Sequence, residues 1–182
     1  MAGPVYIAGD RVDLRTVGDD DLDFFHEATT HPEVRRYIAT FDGPYSKPEY
    51  ETEEFEKYRD GGVSLVVCDE KTRVGNVSLA PIDEEHGWAN LGAWIHPDHH
   101  GEGYATEACA QLIEYAFEEH GLRRLRAQHL APNDASRRLL DRLGFTHEGT
   151  ARDHYRFEDG VVDDVRYGLL ADEWAGVEAV LE

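Results

Sequence analysis

Leu91-Gly-Ala-Trp-Ile-His-Pro-Asp-His-His-Gly101-Glu-Gly103-Tyr-Ala-Thr-Glu107-Ala is the stretch that decides how the rest of the chain reads. Ala89 to Ile95 make an apolar strand, closed by His96-Pro97. Two closely spaced glycines follow, and from Tyr104 the apolar period changes from that of a strand to that of a helix. Ala105, Ala108, Cys109, Leu112, Ala116 and Phe117 share one face as far as His120, and Gly121 supplies the stop. A strand, a glycine loop and a helix in succession let backbone N–H groups approach a ligand with no Cβ in the way. The unpaired amides and the dipole at the helix start then favour an anion. Gly-x-Gly before a helix is also a common tight turn, so the stretch alone does not name the anion. It is not a dinucleotide fingerprint, because Thr106 stands where the third glycine belongs. Nor is it a P-loop, since no Gly-Lys-Ser/Thr occurs.

Outward from this junction the chain alternates hairpins with strand–helix–strand crossovers. Residues 11–17 alternate apolar and polar as a half-buried strand. Asp19 to Thr29 reads as a helix, with a second beginning at Pro32, and Ser46-Lys-Pro-Glu49 is a capping box opening a helix that ends near Asp60. Val63–Cys68 and Val74–Ala80 are strands joined by a short turn. After the long helix come a strand at Leu125–Leu130 and a short helix capped by Asn133 and ending before Gly144. Strands near Phe145–Thr150 and Val162–Leu170 and a closing amphipathic helix complete one α/β (α+β) domain over residues 1–182, built around a mixed sheet.

Composition narrows the function. The chain has 182 residues, 41% of them hydrophobic, with 38 Asp and Glu against 18 Lys and Arg, a formal charge of −20. That length and apolar content suit a single folded domain. A surface this negative repels phosphate backbones and anionic membranes, which argues against nucleic-acid and membrane partners. No apolar run reaches a membrane span, and Met1-Ala-Gly-Pro-Val-Tyr lacks the basic and apolar parts of a signal peptide. Of the basic residues only Lys47, Lys57 and Lys71 are lysine. Acidity of this kind reads first as the solvation of a halophile-like, acidic proteome, and second as a field for a cationic substrate. Cys68 and Cys109 stand among apolar neighbours as two buried free thiols, which suits a reducing cytoplasm. The charge is uneven. Residues 121–142 carry six Arg against Asp134 and Asp141, a local +4 where an anionic cofactor could lie. Residues 18–33 hold six acids and no Lys or Arg.

Three ordered blocks resemble the GNAT acetyltransferases, in the branch of the Rim-type ribosomal-protein N-terminal acetyltransferases. They are His96 to Ala108, Asn133 to Phe145, and the run from Glu148-Gly149 through Asp159-Gly160 and Asp164-Val-Arg-Tyr167 to Glu173-Trp174; Arg11-Val-Asp-Leu-Arg15 matches the branch's opening strand. The resemblance covers nearly the whole chain. It implies a single domain with a mostly antiparallel sheet of about seven strands flanked by helices. It implies acetyl-CoA as co-substrate, with no metal, and a pyrophosphate held by the amides of His100, Gly101, Glu102, Gly103, Tyr104 and Ala105. The backbone around Trp94 and Ile95 would pair with the pantetheine arm and polarise the thioester carbonyl. Asn133 would touch the pantetheine, and Ser136 would lie near the sulfur and donate to the departing thiolate. Tyr155 falls where relatives place residues facing the acetyl group, making it the second catalytic candidate. The branch often dimerises, so a homodimer is implied as well.

Two positions depart from the family. Asp98 stands where a Gln or Arg usually opens the glycine loop, and Asn90 stands where many relatives carry a Glu base. The histidines at 86, 96, 99, 100 and 154 could relay a proton through water; at most they are otherwise solvated surface, and His96-x-x-His99-His100 lacks the acid or Cys of a metal site. The reaction needs a neutral amine. An α-amine of pKa about 8 is roughly 10% neutral at pH 7, whereas a lysine near 10.4 is about 0.04% neutral. The expectation is therefore direct acetyl transfer to a primary amine, foremost a protein N-terminal α-amine. The alternatives are a small amine acceptor (polyamine, amino acid or antibiotic) and a non-catalytic acyl-CoA-binding module.

Overall fold

The computed structural model describes residues 2–38, 44–158 and 160–182, so Asp159 of the third block lies outside the described residues. The N-terminal strands are β1 (Val5–Ile7) and β2 (Asp13–Thr16), followed by α1 (Leu22–Thr30) and α2 (Pro32–Arg35). A bent helix then runs from α3 (Lys47–Tyr50) through a wide π-turn (Glu51–Phe55) into α4 (Glu56–Asp60). Strands β3 (Val63–Asp69), β4 (Thr72–Asp83) and β5 (Trp88–Ile95) form a meander. Helix α5 (Tyr104–Glu114) continues as a π-turn to Glu119, and β6 (Arg124–Leu130) and α6 (Asp134–Arg142) follow it. The long hairpin β7 (Thr146–Phe157) and β8 (Gly160–Leu170) precedes α7 (Val177–Leu181).

All strands join one open sheet in the order β1-β2-β3-β4-β5-β6-β8-β7. Every neighbouring pair is antiparallel except β5 and β6. The sheet thus has 8 strands, one more than expected. The extra one, β1, is 3 residues long. It is too short to show an alternation, and Val5 and Tyr6 are exposed, so no buried face marks it in the sequence.

Two apolar layers cover the sheet. On one face Cys109, Leu112 and Ile113 of α5 pack on Val12, Leu14, Val77 and Leu125, with Leu140 of α6 and Val180 of α7 in the same cluster. On the other, Phe25 of α1, Tyr50 of α3 and Phe55 pack over Val66 and Cys68 of β3. The expected caps are present. Ser46 donates from its N–H and hydroxyl to Glu49 at 2.9 and 2.7 Å, and Asn133 accepts from the Ser136 N–H at 3.1 Å.

Helix α1 is tied to the sheet by charge as well as by packing. Asp21, fully buried just before α1, accepts from Arg73 of β4 at 2.6 Å and from the Gly18 N–H at 2.8 Å. Removing Arg73 leaves a buried carboxylate with one donor fewer, the costly half of a broken ion pair. Arg73→Ala should lower stability by about 3 kcal/mol in a urea melt; a loss under about 0.5 kcal/mol would show that water already satisfies Asp21.

Candidate functional site

The site begins where two strands part. β5 and β6 pair only at Trp88–Arg124, Ala89–Leu125 and Asn90–Arg126, although both continue to Ile95 and Leu130. Beyond Asn90 each strand keeps its other neighbour, β4 or β8, and turns an unpaired edge to the gap. Parity tells which groups line that edge. The His96 N–H donates to the Val74 carbonyl of β4 at 2.8 Å. Antiparallel alternation then sends the N–H and C=O of Gly92 and Trp94 to β4 as well. Those of Leu91, Ala93 and Ile95 face the gap. Ala93 is a position that sequence reading overlooked; the signal was the two-residue period, which needs a register before it can be used.

At the end of this edge the chain enters the glycine loop. Gly101 and Gly103 have φ of +85° and +83°, values that favour glycine, and a Cβ on Gly101 would meet nothing within 4 Å. Gly103 caps α5 without a side-chain bond. Among the described residues the amides of 101–105 have no protein acceptor. They stand at the positive end of an 11-residue helix, a cradle suited to a diphosphate. The His100 amide, expected in the cradle, does not join it, because its N–H donates to the Pro97 carbonyl at 3.1 Å. The His100 ring Nε2–H donates to the Ile95 carbonyl at 2.8 Å, which ties the loop to the strand. The Tyr104 hydroxyl donates to Asp69, and that carboxylate, together with burial, holds the phenol above its usual pKa. Glu102 is exposed.

Asn133 and Ser136 sit on the first turn of α6, which follows β6 and so starts at the far rim of the gap. The Asn133 carboxamide oxygen is engaged in the cap, leaving its amide nitrogen to donate. Ser136 is half-buried, and its hydroxyl makes no hydrogen bond among the described residues. Tyr155 lies on β7, opposite Val162, with its ring edge-on to His154 at 4.6 Å. Ser136 and Tyr155 sit on different elements, α6 and β7, and no hydrogen bond or ring contact joins Tyr155 to α6 or to the glycine loop among the described residues. Of the histidines, His86 is held by Asp83 at 3.1 Å in the β4–β5 turn. His96 instead lies beside Phe24 of α1, with His31 and His99 each 6.0 Å away, at the end of the open edge.

Asn90, Gly92 and Trp94 share the sheet face covered by α1. Trp94 packs on Phe24 and Phe25 at 5.6 and 5.2 Å, and Ser78 of β4 directly opposes Gly92. A cavity of about 180 Å³ opens there beneath α4, with Glu54, Tyr58, Ser64 and Ser78 in its wall. A cavity of about 220 Å³ beyond Tyr58 is bounded by Tyr6, Thr16 and Arg59 and lies over β2 and β3, away from the gap.

The arginines of residues 121–142 meet several kinds of partner. Arg124 pairs with Glu148, Arg137 with Asp134 and Asp141, and Arg126 lies over the Trp88 ring. Arg123 and Arg142 donate to the carbonyls of His86 and Val180. Arg138 alone meets no partner among the described residues. Arg124 and Arg126, two apart on β6, share one face of the sheet; Arg124 is neutralised by Glu148 from outside the segment, which still keeps a net positive charge. The acidic segment is likewise half neutralised, Asp19 by Arg59, Asp21 by Arg73 and Asp23 by Lys47.

A family model for the acetyltransferase (GNAT) domain matches residues 11–146. The chain belongs to the GNAT acetyltransferase family. It is an acetyl-CoA-dependent N-acetyltransferase, and the parted strands and loop amides fit that co-substrate. A relative named "Putative ribosomal N-acetyltransferase YdaF", from Bacillus subtilis, is 42% identical over 88 residues, a match spanning 48% of each chain. The uncharacterized N-acetyltransferase p20 of Bacillus licheniformis is 28% identical over 174 residues, 92% of this chain and 97% of the relative. The spermidine N-acetyltransferase of Vibrio cholerae, solved with CoA and spermine, superposes with a TM-score of 0.82 at 24% identity, over 91% of this chain and 98% of that one. A GNAT-family acetyltransferase from Bacillus anthracis gives 0.80, also at 24% identity, over 92% and 99%. At that identity both establish the fold alone.

Both cysteines are buried and free. Burial pushes the Cys68 thiol up to about 11 and the Cys109 thiol up to about 12. Neither is a thiolate near neutrality, so neither is fitted to carry an acetyl group. A disulfide-forming aromatic reagent at about pH 8 should label no thiol of the folded protein and both after denaturation; rapid labelling of the native protein would contradict this.

Proposed function

We infer that this GNAT enzyme transfers the acetyl group directly from acetyl-CoA to a protein N-terminal α-amine. The observation that carries the reading is Asn90. It stands on the acceptor face at the last paired position before the gap, where a carboxylate base would be expected, and a carboxamide cannot take a proton. The acceptor must then arrive with an appreciable neutral fraction, which an α-amine has and an aliphatic side-chain or polyamine nitrogen lacks. The name of the relative YdaF, "Putative ribosomal N-acetyltransferase", supports a protein acceptor.

In this reading the amides of 101–105 hold the CoA pyrophosphate, and the pantetheine arm completes the open edge of β5. The Ala93 and Ile95 N–H groups are the nearest edge donors to the thioester carbonyl, whose oxygen becomes an oxyanion on attack. The amine approaches from the Trp94 face. The Asn133 amide nitrogen steadies the arm, and the Ser136 hydroxyl donates its proton to the leaving thiolate. Tyr155, on the hairpin, faces the acetyl group from the acceptor side. His96 is the histidine best placed to pass the amine proton to water, imidazole being the side chain that titrates nearest neutrality. The charge and the two thiols suit a reducing, salt-rich cytoplasm.

A small-amine acceptor is the second reading, favoured by the cavity that Glu54 lines beside Gly92's partner Ser78. A panel of free-N-terminus peptides, polyamines and amino acids, assayed by CoA release at low and molar salt, separates the two. Turnover on Ala- or Ser-starting peptides is expected; turnover confined to polyamines or amino acids would overturn the α-amine reading. Ser136→Ala should lower kcat on the order of 100-fold while CoA affinity stays within about twofold. Loss of affinity without loss of kcat would contradict the thiolate role.

A further inference from the structure

Arg11 reaches the glycine loop from the other end of the chain. Its Nη1 donates to the Glu102 carbonyl oxygen at 2.9 Å, across 91 residues of sequence. Its guanidinium carbon lies 5.2 Å from the centre of the Tyr104 ring, and Nη1 is 3.7 Å from where a Gly103 Cβ would be. The backbone on either side of this side chain is clamped. The N–H groups of Arg11 and Val12 donate to one oxygen of Glu107 at 2.8 and 3.1 Å, and Glu107 is buried in the first turn of α5. Gln111, one turn later, donates to the Val12 carbonyl at 3.3 Å. The segment entering β2 is therefore fixed against α5 at three points, and Arg11 extends from that fixed point to one peptide group of the loop.

That peptide is the one between Glu102 and Gly103. A trans peptide is planar, so its C=O and N–H point in opposite directions. A donor that holds the Glu102 oxygen on one side turns the Gly103 N–H to the other. The loop needs such a constraint, because Gly101 and Gly103 flank Glu102 and each has positive φ with little around it. This peptide turns about ψ of Glu102 and φ of Gly103, and glycine at 103 makes the turn easy; rotation would aim a carbonyl at the anion in place of an amide. The family's usual Gln or Arg before the loop is Asp98 here and offers no substitute.

We propose that Arg11 is a positioning residue for the anion cradle, holding the Glu102–Gly103 peptide so that its N–H faces the pyrophosphate of acetyl-CoA. This rests on the reading that the loop binds that pyrophosphate. Arg11 acts from behind the loop, on the carbonyl side, and Tyr104 and Glu107 keep it there. Its contribution belongs to ligands that carry a pyrophosphate and is absent for those that do not.

The test compares acetyl-CoA with S-acetylpantetheine, which has the same thioester and arm but no pyrophosphate. Arg11→Met keeps the stem over Tyr104 and removes the donors; Arg11→Gln is the second variant, and a thermal melt checks that each is folded. Either variant should bind CoA about tenfold more weakly by calorimetry, the worth of about one charge-assisted hydrogen bond. KM for acetyl-CoA should rise by the same factor, with kcat and the kcat/KM for S-acetylpantetheine within about twofold of wild type. Arg11→Lys, which restores a donor able to reach the carbonyl, should recover part of the loss. Equal losses on both substrates would make Arg11 general structural support and overturn the proposal, as would unchanged CoA affinity. A wild-type enzyme that binds CoA and pantetheine equally well would remove the loop reading itself, and this proposal with it.

Discussion

Three paired residues, and then none, on two parallel strands are the constraint from which the rest of the structure follows. β5 and β6 are the one parallel pair in an otherwise antiparallel sheet, and their pairing stops at Asn90–Arg126. Five further residues of β5 run on with one edge hydrogen-bonded to β4 and the other open. Open strand edges inside a sheet are costly unless something completes them. In the function proposed above the completing group is the amide-bearing arm of acetyl-CoA, which would make the break in the ladder and the binding site one feature. The helix after β5 and the helix after β6 both start at the gap, and one brings the anion cradle while the other brings Asn133 and Ser136.

The two faces of the sheet then divide the labour. α5 and α6 lie on one face with the cradle and the caps. The α1–α4 layer lies on the other, where Trp94, Phe24 and Phe25 wall the approach to Gly92. In the proposed function the amine and the thioester meet at the strand edge from opposite sides, as direct transfer requires. The inertness of Cys68 and Cys109 agrees with this economy, because no group of the chain need hold the acetyl between donor and acceptor.

The long elements were legible because their periods are local. The α5 stripe, the Ser46 box, the Asn133 cap and the β3–β5 meander each depend on residues a few positions apart, and the structure places them within three residues of expectation. What escaped depends on register or on distance. β1 has 3 residues and no buried alternation. Which amides of β5 face the gap follows only from its pairing with β4, so Ala93 could not be named beforehand. The separate partners of the arginines in 121–142 also follow only from the fold, since strand and helix geometry sends them to different elements. Arg11 stood in the quoted opening strand, yet its contact with Glu102 spans 91 residues and left no local pattern to read.

Amide hydrogen–deuterium exchange with and without CoA tests the central claim most directly. Residues 101–105 and the alternate positions 91, 93 and 95 should gain protection together on binding, with 92 and 94 protected in both states by β4. Binding that leaves 101–105 unprotected, or that protects a different strand edge, would contradict the account.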